Sequence, residues 1–251
     1  MRLLVINSNM NREITDKIQN IAHGLANPDT TVDAICAEWG VPAIEGGYDA
    51  AFAALATVES IKRHEKNYDA FIIACYSDPG LYAARELTNK PVYGIAQASM
   101  LAACSFGHRF SILSPLARFK PVLESLVRYY GLEALCASVR TVDMDVKQSF
   151  DDLKAANTAF AREARRAVEE DGAEVICLGG AVFAGRDRAI GEEAGGVVCI
   201  DGLSAALKQA EAYHRLGYTS SKVGLFETPR TKVRTLPGGV EANLTDRKSV
   251  V

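Results

Sequence analysis

The residue best suited to chemistry is Cys75, which follows the apolar run Ala70 to Ala74 and precedes the turn Tyr76 to Gly80. The apolar run is typical of a buried strand, and the segment after the turn has helical periodicity. A thiolate at the N-terminus of a helix is favoured by the helix dipole and by free N–H groups, which lower the thiol pKa from about 8.5 toward neutrality. We therefore predict that Cys75 is a general base that removes and returns a proton.

The other five cysteines offer no comparable site. No pair has C-x-x-C spacing, so we expect neither a zinc site nor a disulfide framework. Cys36, Cys177 and Cys199 lie inside apolar runs, where cysteine behaves as a small core hydrophobe. Cys104 and Cys136 lie near predicted helix ends and have no distinguishing context. Cys75 remains the candidate general base.

The elements that position Cys75 follow from the hydrophobic pattern. Short apolar runs bounded by Gly, Pro, Asn or Asp alternate with longer segments of helical period, which predicts βαβ units around parallel sheets. Strands are predicted over residues 3–6, 32–36, 70–74, 92–95, 110–113, 139–142, 175–178 and 197–200. Helices are predicted over residues 12–25, 50–65, 81–87, 121–130, 151–169 and 203–216.

An internal repeat divides the chain into two similar halves. The segment Arg2 to Ser8 aligns with Arg109 to Pro115, and Ala70 to Cys75 aligns with Val175 to Gly180. Such self-similarity predicts an α/β fold of two similar lobes, each a mostly parallel sheet flanked by helices, related by a pseudo-two-fold axis. We assign residues 1–105 to lobe one, 106–224 to lobe two and 225–251 to a tail that we expect to be disordered. Segments of one lobe can pack on the other.

The repeated positions predict where the active site lies. In open parallel sheets, ligands bind beyond the carboxyl ends of the strands, where N–H groups of the following helix are free. Four strand-end loops occupy such positions: Asn7 to Asn9, Cys75 to Pro79, Ser114-Pro115 and Gly179 to Ala181. Two facing lobes would bring all four around one cleft, which we predict to be the active site.

Composition excludes several classes of partner. The formal net charge is −3 and no long basic run precedes the tail, which argues against nucleic-acid or polybasic membrane binding. The N-terminus has no signal-peptide pattern, and no apolar stretch is long enough to span a membrane. We expect a cytoplasmic homo-oligomer that acts on a small molecule. The first strand is not followed by G-x-G-x-x-G, so a dinucleotide cofactor is not expected.

The segments Asp69 to Leu87 and Pro91 to Ala96, with others along the chain, together resemble the hydantoin and allantoin racemases of the aspartate/glutamate racemase superfamily. The segment Asp69 to Leu87 resembles the first-cysteine segment of that family, and Pro91 to Ala96 resembles the strand after it. Further similarities extend over roughly residues 1–224 and include the segments Leu4 to Asn9, Phe106 to Ser111, Ile200 to Gly202, Arg215 to Gly217 and Ser221-Lys222.

The resemblance implies a cofactor-free racemase that removes a proton from a cyclic ureide carbon and returns it to the other face. In that family two cysteines do this, one in each lobe, and the first corresponds to Cys75. The second belongs to a Leu-Gly-Cys-Ala-Gly-Met segment, which reads Leu178 to Phe183 here and places Gly180 at the cysteine position. Glycine has no acid or base, so the sequence predicts proton transfer on one face only. Cys177 lies three residues earlier within a strand and should point into the lobe core.

Other residues are predicted to contact substrate. Asn9 is expected to hydrogen-bond a ureide carbonyl, Ser114 to line the opposite wall, and Phe183 to reshape the pocket. The side chain of Asp78 either orients a substrate amide or caps the following helix. Backbone N–H groups of Ser77, Asp78, Gly180 and Ala181 are expected to stabilise developing enolate charge.

Two alternatives to a racemase remain open. One is a single-cysteine decarboxylase or isomerase of the same superfamily. Arylmalonate decarboxylases keep one cysteine, but in the C-terminal lobe, whereas this chain keeps the N-terminal one. The other alternative is a non-catalytic relative that binds the ligand.

Overall fold

The computed structural model describes residues 1–142, 144, 152–235 and 241–242. The described chain folds into two four-stranded parallel sheets with helices around them. This architecture confirms the predicted α/β fold with two similar halves. None of the helices in the described ranges combines the length and hydrophobicity that a membrane span requires.

The first sheet has the strand order β2-β1-β3-β4. Its strands are β1 (Arg2–Asn7), β2 (Thr31–Cys36), β3 (Ala70–Ile73) and β4 (Val92–Gly94). Its connecting helices are α1 (Arg12–Leu25), α2 (Gly47–His64) and α3 (Leu81–Leu87), and α4 (Ile95–Ala103) follows the last strand. β1 and β3 are central and apolar, as expected of strands that are covered on both faces.

The second sheet repeats this arrangement with the order β6-β5-β7-β8. Its strands are β5 (Phe110–Ser114), β6 (Cys136–Thr141), β7 (Val175–Leu178) and β8 (Val198–Asp201). The helices are α5 (Lys120–Tyr129), α6 (Leu153–Asp171), α7 (Asp187–Glu193) and α8 (Gly202–Arg215). The strands β1 and β3 therefore correspond to β5 and β7, as the internal repeat predicts.

Local sequence signals account for several helix ends. Asn11 precedes α1, and its side-chain oxygen accepts a hydrogen bond from the Ile14 N–H at 3.1 Å. Asp152 caps α6 in the same way through the Ala155 N–H, at 2.9 Å. The predicted start of this helix at Asp151 lies outside the described residues. Such caps satisfy N–H groups that have no partner within the helix.

Helices α4 and α8 join the two halves. α4 follows the first sheet but packs against β7 and β8 of the second sheet, whereas α8 packs against α4, α1 and the first-sheet strands β3 and β4. One buried hydrophobic cluster consequently includes residues of both sheets and both helices, among them Leu3, Ile72, Cys177 and Leu207. The cleft between the halves is thus built on a shared core.

Two helices, α4 and α7, were not predicted from the sequence. The strand predicted to reach Ile95 ends at Gly94, and α4 begins at Ile95. Part of the predicted tail is described: a short 3-10 helix, Gly224–Phe226, packs against α3. Two-residue strands β9 (Arg234–Thr235) and β10 (Glu241–Ala242) pair antiparallel, and residues 236–240 and 243–251 of the tail lie outside the described residues.

Candidate active site

A cavity of 490 Å³ lies where the strand ends of the two sheets face each other. The loops after β1, β3, β5 and β7 all contribute to its walls, with residues that include Asn7, Asn9, Ala74, Cys75, Tyr76, Ser114, Pro115, Leu116, Gly179, Gly180, Ala181 and Val182. The four loops that the repeat predicts around one cleft therefore do meet there. This position agrees with the general location of ligand sites in parallel α/β sheets.

Cys75 contributes its partly buried thiol to this cavity. The residue lies two positions beyond the end of β3, and the carbonyl of Cys75 accepts a hydrogen bond from the Asp78 N–H at 2.9 Å, which closes a turn. The Cys75 sulfur lies 3.4 Å from the Ser77 hydroxyl oxygen. A thiol that is held at a strand end and open to a cavity can exchange a proton with a bound carbon acid.

The electrostatic environment of Cys75 differs from the sequence prediction. Burial raises the pKa of the Cys75 thiol above its ordinary value, and the nearby Asp78 carboxylate raises it further, whereas the hydrogen bonds from Ser77 lower it. The helix α3 begins only at Leu81, six residues after Cys75, so the thiol is not at the helix N-terminus. The prediction that the helix dipole lowers this pKa toward neutrality is therefore wrong.

Gly180 lines the same cavity from lobe two. Its φ of 170° and ψ of 144° describe extended backbone that any residue adopts. A Cβ at this position would lie 3.1 Å from Val182 Cγ1 and 3.4 Å from a Phe183 ring carbon. The position can hold a side chain if these neighbours move by a few tenths of an ångström. Gly179 differs, because a Cβ there would lie 2.7 Å from the backbone oxygen of Leu113.

Three of the other predicted site residues, Asn9, Ser114 and Ala181, also line the cavity. The Asn9 side-chain oxygen accepts hydrogen bonds from the Asn7 side-chain amide and from the Asn11 N–H, both at 2.9 Å. These contacts fix the orientation of the Asn9 amide. The NH₂ group of Asn9 is left as the donor for a ligand.

Ser77, Asp78 and Phe183 are absent from the residues that line the cavity. Phe183 is fully buried and packs against Phe160, with ring centroids 4.2 Å apart. It supports the backbone under Gly180 instead of lining the pocket. Ser77 contacts the Cys75 sulfur.

The carboxylate of Asp78 binds to a different helix from the one that the sequence suggests. It accepts hydrogen bonds from the Ala96 and Gln97 N–H groups, at the start of α4, and from the Tyr130 hydroxyl. Burial raises the pKa of Asp78 to about 6, although these hydrogen bonds lower it. In the structure Asp78 caps α4, whereas the sequence predicted that Asp78 would either contact the substrate or cap α3.

The backbone N–H groups expected to stabilise an enolate divide into two sets. The Asp78 N–H donates to the Cys75 carbonyl at 2.9 Å, and the Gly180 N–H donates to the Leu178 carbonyl at 3.0 Å. These two donors are used within the chain. The Ser77 N–H contacts the Cys75 sulfur, and the described contacts give no acceptor for the N–H of Ala181. Ala181 also lines the cavity from lobe two.

Cys177 is completely buried in the core that the two halves share. Burial raises the pKa of its thiol far above the ordinary value, so a thiolate is disfavoured. Its position agrees with the prediction that it points into the core.

The part of the wall that comes from α1 and the loop after β2 was not predicted from the sequence. This part comprises Asn11, Glu13, Ile14, Lys17, Pro42, Ala43, Ile44 and Glu45. Glu13 and Lys17 form an ion pair at 2.9 Å. The loop after β2 could have been found, because it leaves the same edge of the sheet as the Cys75 turn. Among the described residues, no group of three or more His, Cys, Asp or Glu side chains is placed to hold a metal ion.

The fold and the site define a two-lobed α/β protein with a thiol-containing cleft between repeated halves. The sequence profile of the family described as Asp/Glu/Hydantoin racemase matches residues 3–210. The chain is 40% identical over 233 residues to the hydantoin racemase of Pseudomonas sp. (strain NS671), which covers 92% of this chain and 93% of that protein. The chain therefore belongs to the Asp/Glu/hydantoin racemase family.

Two solved structures are similar along nearly the whole chain. Allantoin racemase from Klebsiella pneumoniae has a TM-score of 0.89 and 36% identity, covering 95% of this chain and 98% of that one. Allantoin racemase from Pseudomonas fluorescens has a TM-score of 0.89 and 37% identity, covering 92% of this chain and 98% of that one. In sequence and fold the chain is racemase-like.

Proposed function

We propose that this chain acts on the acidic carbon of a hydantoin or allantoin-like cyclic ureide, with Cys75 as the acid and base on one face. The proposal rests on one observation above all: Cys75 and Gly180 occupy matching strand ends of the two halves and line one cleft. Family membership and the names of the similar proteins support the substrate class.

The proposed reaction needs no group beyond the cleft. The Cys75 thiolate removes the proton from the ureide carbon, and the electron pair delocalises into the adjacent carbonyl to give a planar enolate. The NH₂ of Asn9 donates to a carbonyl of the ureide, and the N–H of Ala181 stabilises the oxygen that gains charge. The thiol, after exchanging its hydrogen with solvent, returns a proton to the carbon.

Racemisation requires a second group on the opposite face of the planar enolate, because a thiol on one face returns the proton to that face. Gly180 has no side chain there, and Cys177 is buried in the core. We therefore propose that the chain exchanges hydrogen with retention of configuration. Any inversion would need a second acid, such as water, on the opposite face.

Solvent deuterium incorporation tests this function. A single enantiomer of a 5-substituted hydantoin, and separately of allantoin, is incubated with the protein in D₂O and analysed by chiral chromatography with mass detection, with the uncatalysed rate subtracted. The wild-type chain should add one deuterium to the unchanged enantiomer. Cys75→Ser should abolish this incorporation, because the hydroxyl has a far higher pKa than the thiol.

Gly180→Cys is the complementary variant. It should convert exchange with retention into racemisation, since acid–base assistance typically contributes ~10²–10⁴-fold. Gly180→Ala is its matched control, because it adds the Cβ without the thiol and should not racemise. If the wild-type chain racemises as fast as Gly180→Cys, another group supplies the second face and the one-sided mechanism is wrong. No exchange on any ureide would favour the non-catalytic alternative.

A single-cysteine decarboxylase is the second candidate. The observation in its favour is that Cys75 is the only cysteine among the described residues of the cavity wall. Such an enzyme would release carbon dioxide from a prochiral disubstituted malonate and protonate the enediolate from the Cys75 side. The product should have the opposite configuration to that from enzymes with the cysteine in the C-terminal lobe. Absence of carbon dioxide release would exclude this candidate.

A further inference from the structure

We propose that Asp78 is a positioning residue that fixes the Cys75 turn by attaching it to the N-terminus of α4. The inference rests on the proposed role of Cys75 in proton transfer. It assigns to Asp78 a function in holding the thiol and not in binding the substrate.

The first observation is the conformation of the turn. Asp78 has a φ of +44°, and it is the only residue other than glycine with a positive φ in the described part of the chain. Residues with a Cβ adopt this region infrequently, and they keep it only where surrounding contacts enforce it. The Asp78 N–H and carbonyl also hydrogen-bond within the turn, to the Cys75 carbonyl and from the Leu81 N–H respectively. The backbone at Asp78 thus sets the path of the chain beside the thiol.

The second observation is how the Asp78 carboxylate is held. One oxygen accepts from the Ala96 N–H at 3.0 Å, and the other accepts from the Gln97 N–H at 2.8 Å and the Tyr130 hydroxyl at 2.6 Å. The residue that precedes α4 is Gly94, which has no side chain to cap the helix. A Cβ at Gly94 would overlap the Asp78 carboxylate. Asp78 is therefore the N-terminal cap of α4, supplied from a separate loop.

The attachment reaches across the molecule, because α4 packs against β7 and β8 of the second sheet and against α8. The loop that contains Gly180 follows β7. By binding α4, Asp78 fixes the Cys75 turn relative to the lobe that forms the opposite wall of the cleft. Proton transfer depends on this spacing, since a small displacement of a reacting group lowers the rate steeply.

The second lobe contains a corresponding contact. The Asp201 carboxylate accepts from the Leu203 and Ser204 N–H groups at the start of α8 and from the Gly185 N–H at 3.1 Å. Gly185 belongs to the loop that follows Gly180. In both halves, a buried carboxylate joins the loop at a cleft position to the N-terminus of the helix after the last strand. The repetition supports a positioning role for both.

The test compares three variants with a matched control. Asp78→Gly permits the positive φ but removes the carboxylate, Asp78→Asn keeps the shape with fewer acceptors, and Tyr130→Phe removes only the 2.6 Å hydrogen bond. The control Asp33→Asn disrupts another tyrosine–carboxylate contact of lobe one, to Tyr68 at 2.9 Å, that lies outside the cavity wall. Unfolding temperatures are recorded for all four proteins.

Deuterium exchange separates positioning from substrate binding. Asp78→Gly should lower kcat on the order of 10–10²-fold with little change in KM, because the residue is not part of the cavity wall. Asp78→Asn should recover part of this loss, and Tyr130→Phe should have a smaller effect in the same direction. Asp33→Asn should leave kcat and KM unchanged. A raised KM at unchanged kcat would show that Asp78 binds substrate and would overturn the proposal, as would wild-type values in Asp78→Gly.

Alkylation of Cys75 by iodoacetamide gives a readout that requires no turnover. The tryptic peptide 67–85 contains Cys75 and no other cysteine, so its modification can be followed by mass spectrometry as a function of pH. Loss of the Asp78 carboxylate should shift the reaction profile to lower pH, because Asp78 raises the pKa of Cys75. The other ionisable neighbours of Asp78, which are Tyr76, Tyr130 and Arg85, remain in place in Asp78→Gly and Asp78→Asn.

The two readouts distinguish failure of the inference from failure of the proposed function. If the wild-type chain shows no exchange on any ureide, the proposed function fails and alkylation alone decides the role of Asp78. A Cys75 profile in Asp78→Gly that matches that of Asp33→Asn would then overturn the positioning role. A profile that changes also in Tyr130→Phe, which keeps the carboxylate charge, and not in Asp33→Asn would support it.

Discussion

The groups around Cys75 shift the pKa of its thiol in opposite directions. Burial and the Asp78 carboxylate favour the neutral thiol, whereas the contacts from Ser77 favour the thiolate. A neutral thiol is suited to giving a proton to the enolate, and a thiolate is required to remove one. Because the net effect raises the pKa, proton removal is the step that the environment disfavours at neutral pH.

The pH dependence of exchange follows from the raised pKa of Cys75. Below this pKa the fraction of thiolate increases tenfold with each pH unit, so the exchange rate should increase with pH in the same proportion. We expect the increase to continue beyond pH ~8.5, where an ordinary free cysteine is half ionised. Initial rates of deuterium incorporation between pH 6 and 10 measure this profile, and a plateau that begins near pH 7 would contradict it.

Alanine substitutions at the adjacent residues Gly179 and Gly180 should have different effects on the free energy of unfolding. Gly179→Ala should destabilise the fold by about 1–3 kcal/mol, because its Cβ would lie 2.7 Å from the Leu113 backbone oxygen. Gly180→Ala should change the free energy of unfolding by less than ~1 kcal/mol, because its backbone is extended and only side chains must adjust. Urea unfolding of both variants measures the difference, and equal destabilisation would refute it.

At the level of elements, the strands and their end loops were largely predictable. β7 was predicted with its observed bounds, because Val175 to Leu178 is a short apolar run with turn residues on both sides. α1 was also predicted with its observed bounds, from the helical period of its sequence. The repeat placed both strand ends, and hence Cys75 and Gly180, at one cleft.

The helix α4 shows why other parts were not predictable. Residues Ile95 to Ala103 are mostly apolar, and Ile95, Ala98, Ser99 and Met100 are all buried because the helix lies between the two sheets. A helix covered on several sides has no polar stripe to reveal its period. The Asp78 cap was missed for the same reason, since the N–H groups that it caps belong to this helix. Long-range packing, which one sequence does not show, determines both.

The strand β7 contains Cys177 and allows a prediction that separates structure from chemistry. Cys177→Ala should lower the free energy of unfolding by on the order of 1 kcal/mol, because a fully buried side chain is shortened in the shared core. Exchange catalysed by Cys75 should persist at the wild-type rate. Thermal unfolding and deuterium incorporation provide the two measurements, and loss of exchange without loss of stability would assign Cys177 a chemical role.

At the scale of the whole molecule, α4 and α8 each pack against the sheet of the other half, and this packing couples the stability of the two halves. The core cluster that includes Leu3 and Ile72 of the first sheet also includes Cys177 of the second sheet and Leu207 of α8. Each half also has a buried cluster of its own, but the shared cluster needs residues of both halves. The cleft therefore forms between parts that we expect to fold as a unit, which keeps the Cys75 and Gly180 walls in a fixed relation.

The shared core predicts that a change in α8 weakens both halves together. Leu207 is completely buried, and Leu207→Ala should cost about 2–5 kcal/mol through lost burial and the resulting cavity. Leu216→Ala, just beyond the end of the same helix, is the matched control, because Leu216 is 61% exposed and its truncation should cost far less. Amide hydrogen exchange in Leu207→Ala should accelerate in β1 and β3 as well as in β5 and β7, since opening of the common core exposes both sheets. Calorimetry should still show one transition in both variants, with equal calorimetric and van't Hoff enthalpies.

If faster amide hydrogen exchange in Leu207→Ala is confined to β5 and β7, the two halves unfold independently. In that case α8 would not stabilise the first sheet, which precedes the Cys75 turn.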